Sequence, residues 1–175
     1  QAGKSMFAVD GDATNTGWTE GKHSMYTCSY TDLSAVTATH WWMVDLGDVL
    51  AISGARIYAA VNSALDDGRP SVANIGLTRF RGSPTSPFIE SETTMCNTEG
   101  LKLYPGSSTE VLCPGSSGRY VYVIAEGTQL GLCEVEVYGV TPACPDFCVA
   151  NPKRVRAINA RLTSAANASL HSTEV

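Results

Sequence analysis

Charge is scarce in this sequence: 17% of its 175 residues are Asp, Glu, Lys or Arg, and the formal net charge is −5. Proteins that wrap nucleic acid do so with dense lysine and arginine on phosphate, and this chain offers no such field. Long apolar runs are missing as well. None approaches the roughly 20 residues of a membrane-spanning helix, so direct membrane insertion is not expected. Gln1 does not open a signal peptide, and a targeting segment already removed is the expectation.

Chemistry-bearing motifs are equally sparse. The histidines are His23, His40 and His171, none at helical ligand spacing from another, which argues against zinc. The chain contains no Gly-x-Ser-x-Gly elbow, no phosphate-cradling glycine loop and no dinucleotide fingerprint. Adjacent Asp66 and Asp67 read as solvated turn formers, because neighbours on a turn rarely hold two carboxylates across a glycosidic bond. An enzyme is not expected.

What the sequence does contain is cysteine, turns and short β-branched runs. Six cysteines, at 28, 96, 113, 133, 144 and 148, are even in number and widely spread, which suits disulfides and an extracellular setting, secreted or at the cell surface. Their connectivity stays open at this point. Gly and Pro interrupt any helical periodicity, and the clearest strands are Trp41 to Leu46, Ile52 to Val61, Ala73 to Phe80, Arg119 to Ala125 and Cys133 to Tyr138. Many short strands joined by long turns make the class all-β, a sandwich or jelly roll. Pro105–Ser108 and Pro114–Gly118 read as turns. In the last strand Cys133, Val135 and Val137 alternate with Glu134 and Glu136, so one face is buried and the other is wet or ligand-bound. Trp41 and Trp42 open a regular strand and are expected in core and inter-sheet packing.

Composition shifts after Gly139. A domain over 1–140 gives way to a Pro/Cys linker over 141–152 and an extension over 153–175. Lys153, Arg154, Arg156 and Arg161 make a basic segment there, read as a solvated face or a docking patch for an acidic partner. Asn167-Ala168-Ser169 is a glycosylation sequon, usable if Asn167 faces solvent.

Several motifs occur in order: Phe7-Ala8-Val9-Asp10-Gly11-Asp12, Thr27-Cys28-Ser29, His40 to Gly47, Gly118 to Val123, and Leu132 to Gly139. Together they resemble the F-type lectin (fucolectin) family, whose domain is a calcium-bound, discoidin-like β jelly roll, over roughly Phe7 to Gly139. The resemblance implies Ca2+ held by the Asp10 and Glu134 side chains with oxygens of Phe7, Asp12, Thr27 and Cys133. It also implies that Cys28 pairs with Cys133 and Cys96 with Cys113, leaving Cys144 and Cys148 for each other or for another chain. The family's vicinal cysteine pair is absent, and Ala64 to Gly68 fills that region.

Family members grip fucose with a histidine and two arginines, whose donors fork onto vicinal hydroxyls. In this chain Tyr30 stands in the histidine's place, Ala60 to Asn62 contains no arginine, and only Arg69 matches, two residues late. The resemblance therefore implies a degenerate fucose motif. Tyr30, Asn62, Asp66, Asp67 and Arg69 remain as a polar rim, with Trp18 as a ring that could stack on a sugar.

The family's domain opens with a strand ahead of the Asp-Gly turn, and only six residues precede Phe7 here, whereas Asn159 to Thr173 looks like that opening strand. The chain is thus expected to be cyclically shifted, its tail being a strand of the next repeat or one donated to a neighbouring copy. The expected function is an extracellular, calcium-stabilised recognition or adhesion module for a glycan or glycoprotein, within a repeated or head-to-tail assembly. The alternative is a purely structural repeat of an extracellular filament or matrix whose sugar site is lost.

Overall fold

The computed structural model describes residues 8–9, 28–31, 39–61, 70–80, 92–140, 153–155 and 159–164. Every element among them is a strand: β1 (Ser29–Tyr30), β2 (Thr39–Ala59), β3 (Ser71–Thr78), β4 (Thr94–Met95), β5 (Leu101–Leu103), β6 (Ser108–Glu126), β7 (Gly131–Val140), β8 (Lys153–Val155) and β9 (Asn159–Ser164). They hydrogen-bond in the order β1-β7-β2-β6-β3-β4, with β5 on β3, β8 on β7 and β9 on β2. All pairings are antiparallel. The fold is the expected all-β, discoidin-like sandwich.

Two long strands organise it. Where the sequence suggests two strands, Trp41 to Leu46 and Ile52 to Val61, the structure has the single β2, paired with β6 along both halves. The register slips between Asp45 and Leu50, and again between Ile52 and Gly54. Asp45 holds the first slip: it accepts the Gly47 amide at 2.8 Å and takes both arms of Arg119 at 2.7 and 2.9 Å. The Pro114–Gly118 stretch, read as a turn, lies inside β6 opposite these slips. Small residues there let the strand bend without leaving the ladder, which is the job of a bulge at a sheet corner.

The bend folds one sheet into two layers. Trp42 and Val44, from the first half of β2, share a core cluster with Ala55 and Ile57 from its second half, along with Ile75, Leu77, Val121, Val123, Val135 and Val137. Inward positions are even in the first half and odd in the second; the slip at Ile52/Gly54 supplies the change of face. In one layer residues 39–45 of β2 run between β9 and β6, and in the other residues 51–59 run between β7 and β6. Corners therefore lie at one end of the sandwich. Both termini of β2 lie at the other, the loop end.

The tail closes this same sheet. Lys153, Arg154 and Val155 pair with Gly139, Tyr138 and Val137, and β9 runs from Asn159 opposite Asp45 to Ser164 opposite His40. Since β7 pairs with only the second half of β2, β9 takes up the N–H and C=O groups that its first half would leave open. Residues 159–164 of the stretch that resembles an opening strand thus pair with β2 of the same chain. Cys144, Cys148 and Asn167 lie outside the described residues.

Candidate functional site

At the loop end, five segments are tied together by hydrogen bonds. The Thr31 amide donates to the Leu130 carbonyl at 2.9 Å, and the Leu130 amide donates to Thr31 Oγ1 at 2.9 Å. Gln129 Nε2 donates to the Thr31 carbonyl at 2.6 Å, and Ser71 Oγ donates to the Gln129 carbonyl at 3.0 Å. The Ala59 amide donates to the Ser107 carbonyl at 2.9 Å, and the Ala60 amide to that of Gly131 at 3.0 Å. The end of β1, the end of β2, the start of β3 and the two turns flanking β6 are thereby fixed against one another.

Tyr30 sits in this group, half-buried, with its hydroxyl donating to the Val61 carbonyl at 3.3 Å. A tyrosine in the histidine's place is thus turned inward to brace the chain just before residue 62. Asn62, Asp67, Arg69 and Trp18 lie outside the described residues, as do Asp66 and Ala64. Val61 and Pro70, which flank 62–69, are both described, and both adjoin the hydrogen-bonded group. Sequence reasoning missed Thr31 and Gln129 here, because nothing local said which segments they meet.

A second constellation lies where β1 crosses the start of β7. Cys28 is bonded to Cys133, and Cys96 to Cys113, the pairs that the resemblance implies. Cys28, Ala60 and Cys133 form a small buried cluster with Tyr30 and Tyr58 packed against it. Glu134 follows Cys133 on the outer face of β7, the face expected to be wet or ligand-bound, and is only 1% exposed. The wet reading fails at this position, because that part of the face is covered. Glu136, two residues on, is half-buried. Ala8 is buried in the main core with Val9 packed against it, which anchors the chain directly before Asp10. Of the six implied calcium donors, Cys133 and Glu134 are described; Phe7, Asp10, Asp12 and Thr27 are not. Among the described residues no three metal-ligating side chains converge.

The other marked side chains are structural. Trp42 is in the main core, and Trp41 packs edge-on against Tyr122 with ring centroids 6.0 Å apart in a second cluster. His40 is buried near the start of β2. On the outer face of the second layer Arg56 is ion-paired with Glu110, and hydrogen bonds to Tyr58 and then Glu110 raise its guanidinium further above its ordinary value. Nearby, Tyr138 donates to Glu136 Oε2 at 2.6 Å, and partial burial, followed by that bond, pushes its phenol up to about 12.

No family profile matches the sequence, and neither does any curated protein. Among solved structures the chain is similar to the F-type lectin (fucolectin) of striped bass (Morone saxatilis) serum, at 26% identity and a TM-score of 0.57. That match covers 79% of this chain and 42% of the fish protein, so the chain spans less than half of that relative's length. The lectin domain of lectinolysin, complexed with Lewis B antigen, matches at 23% identity and TM-score 0.50, over 77% of this chain and 83% of its own. A family 32 carbohydrate-binding module from C. perfringens, in complex with galactose, matches at 13% identity and TM-score 0.51, over 78% of this chain and 85% of its own. The last two likenesses speak to the fold alone.

Proposed function

With an F-type-lectin-like domain as the premise, we propose that this protein is a non-catalytic, extracellular recognition module that binds a glycan or glycoprotein at its loop end. The observation that carries the reading is the convergence there. Hydrogen bonds lock Thr31, Gln129, Ser71 and Ser107 into one rigid base, and the 62–69 segment with Asn62, Asp67 and Arg69 springs from it at both roots. Rigid loops on a β scaffold present polar groups at little entropic cost on binding. Vicinal hydroxyls suit the forked donors of Arg69, and carboxylate and amide groups complete the rim.

Specificity moves away from fucose in this reading. Tyr30 replaces the imidazole, and its hydroxyl already serves the Val61 carbonyl. With that donor withdrawn, a glycan other than fucose becomes the leading ligand.

Calcium belongs to the same proposal as a stabiliser. The donor chemistry fits: Glu134 is a carboxylate on β7 directly after Cys133, whose disulfide ties that strand to Cys28. Cys28 and Ala8, anchored by disulfide and core, put Thr27, Phe7 and Asp10 next in the chain. Asp10, Glu134 and the oxygens of Phe7, Asp12, Thr27 and Cys133 would hold the ion, which supplies cross-linking charge and no chemistry. Neighbouring copies on a cell surface or in a secreted array would multiply weak sugar contacts by valency.

A printed glycan array tests the function. Calcium-sensitive binding of the intact chain, abolished by Arg69→Ala, is expected; silence on every glycan would favour the rival, a purely structural repeat with a lost sugar site.

A further inference from the structure

The first part of β6, Ser108 to Cys113, is a sheet edge. On one side it pairs with β2, from Tyr58 opposite Ser108 to Gly54 opposite Leu112. β3 meets β6 only from Tyr120 onward, and among the described residues no strand pairs with the other side of 108–113. One hydrogen bond shows which groups that side carries. The Ala59 amide donates to the Ser107 carbonyl, so Ser107, Thr109 and Val111 turn their N–H and C=O groups towards β2. Ser108, Glu110 and Leu112 turn theirs to the open side.

The same three residues carry the exposed side chains. Leu112 is 74% exposed, more than any other large apolar side chain among the described residues, and its ladder partner Gly54 has no side chain to cover it. Glu110 is ion-paired with Arg56 on its own sheet, so its charge is already matched. Edges are ordinarily blunted by lysine, proline or a bulge. Residues 108–113 contain neither lysine nor proline, and their register against β2 is unbroken from Ser108 to Leu112.

We propose that this edge pairs antiparallel with the same edge of a second copy, joining the second layers of two molecules into one continuous sheet. The two-fold axis passes beside Val111, and ladder bonds run between Glu110 and Leu112 of the partner subunit, in both directions. Centring on Glu110 would set two carboxylates face to face, which is unfavourable. Centring on Leu112 would place Pro114, which lacks an N–H, opposite Glu110. With the axis at Val111, Leu112 lies beside the aliphatic stem of the partner's Glu110 and diagonal to the partner's Leu112. The paired strands run in opposite directions, so the two loop ends face opposite ways. A short ladder and one leucine from each copy make an interface smaller than the roughly 1,200 Å² of stable complexes, so the pairing is weak and depends on concentration.

Sedimentation equilibrium of the full chain at rising concentration is expected to show a mass climbing towards that of a dimer. Leu112→Lys should hold it at the monomer mass. Phe80→Ser, which removes a 63% exposed ring elsewhere, should leave the association within about twofold. Amide exchange followed by NMR on the unaltered chain gives a reading that needs no variant to fold. Glu110 and Leu112 amides should exchange fast in dilute solution and roughly tenfold more slowly once about nine-tenths of the chains are paired, whereas Thr109 and Val111 amides, bonded to β2, are slow throughout. A chain that stays monomeric at every concentration overturns the proposal. So does an association that survives Leu112→Lys at full strength, falls equally with Phe80→Ser, or leaves the Glu110 and Leu112 amides fast.

Discussion

Asn97 is a single side chain that finishes a strand edge. Its Oδ1 accepts the Ile75 amide at 2.9 Å, and its Nδ2 donates to Asn74 Oδ1 at 2.9 Å and to the Glu99 carbonyl at 2.6 Å. Asn97→Ala leaves a part-buried amide and two acceptors unserved, and urea denaturation should record a loss of about 2 kcal/mol. Tyr138 gives a pH dependence. Its folded phenol lies at about 12 against an ordinary 10.0, so the folded state keeps a proton that the unfolded chain has released. Stability should accordingly fall as pH rises from about 10 through about 12. Tyr138→Phe should flatten that part of a melting-temperature profile, and the phenolate absorbance of the native chain should show one late-titrating tyrosine. Legibility at this scale was uneven. Paired tryptophans at the head of a strand announced a core, and they are in it. Asn97 gave no signal, because its partners are strand amides brought to it only by folding. Glu134 was read as a member of an alternating pattern, which says which face it is on and cannot say that something covers that face.

Elements show where local pattern suffices and where it fails. The β-branched and aromatic runs of β3, β6 and β7 were visible as strands because their composition is what a pleated, half-buried surface accepts. The corner was not. Pro114–Gly118 has the composition of a turn, and only the continuous partner strand β2 keeps it in the ladder. Disulfide pairing, too, was open until the resemblance was considered, since spacing alone cannot choose among partners. The two bonds differ in reach: Cys28–Cys133 spans 105 residues and Cys96–Cys113 spans 17. In the chain-entropy picture the longer closure is worth about 4.7 kcal/mol and the shorter about 3. Paired Cys→Ala variants, followed by denaturant unfolding, should therefore rank the first pair as the costlier. Equal losses would mean that local packing around Cys113, buried in the core, dominates over loop closure.

The whole molecule is a sheet completed by its latest described strand. β9 lies beside the first half of β2, so folding must bring residues 159–164 to residues 40–45 before that layer is sealed. The likeness of this stretch to an opening strand was legible; its return to the same chain was not, because a strand's sequence does not say whose edge it meets. The proposed calcium ion belongs to this scale as well. An ion bound only by the folded state stabilises it by about 2.7 kcal/mol at a free concentration one hundred times the dissociation constant. Differential scanning calorimetry should find the melting temperature lowered by a chelator and restored by Ca2+, and Glu134→Gln should abolish the difference; an unmoved transition would remove the ion from the proposal. The Cys28–Cys133 bond has one more effect. A protease that cuts anywhere between those two cysteines releases no fragment, for both pieces stay covalently joined until a reductant arrives. In a tissue fluid rich in hydrolases, a nicked copy would keep its mass, and only electrophoresis after thiol treatment would reveal the damage.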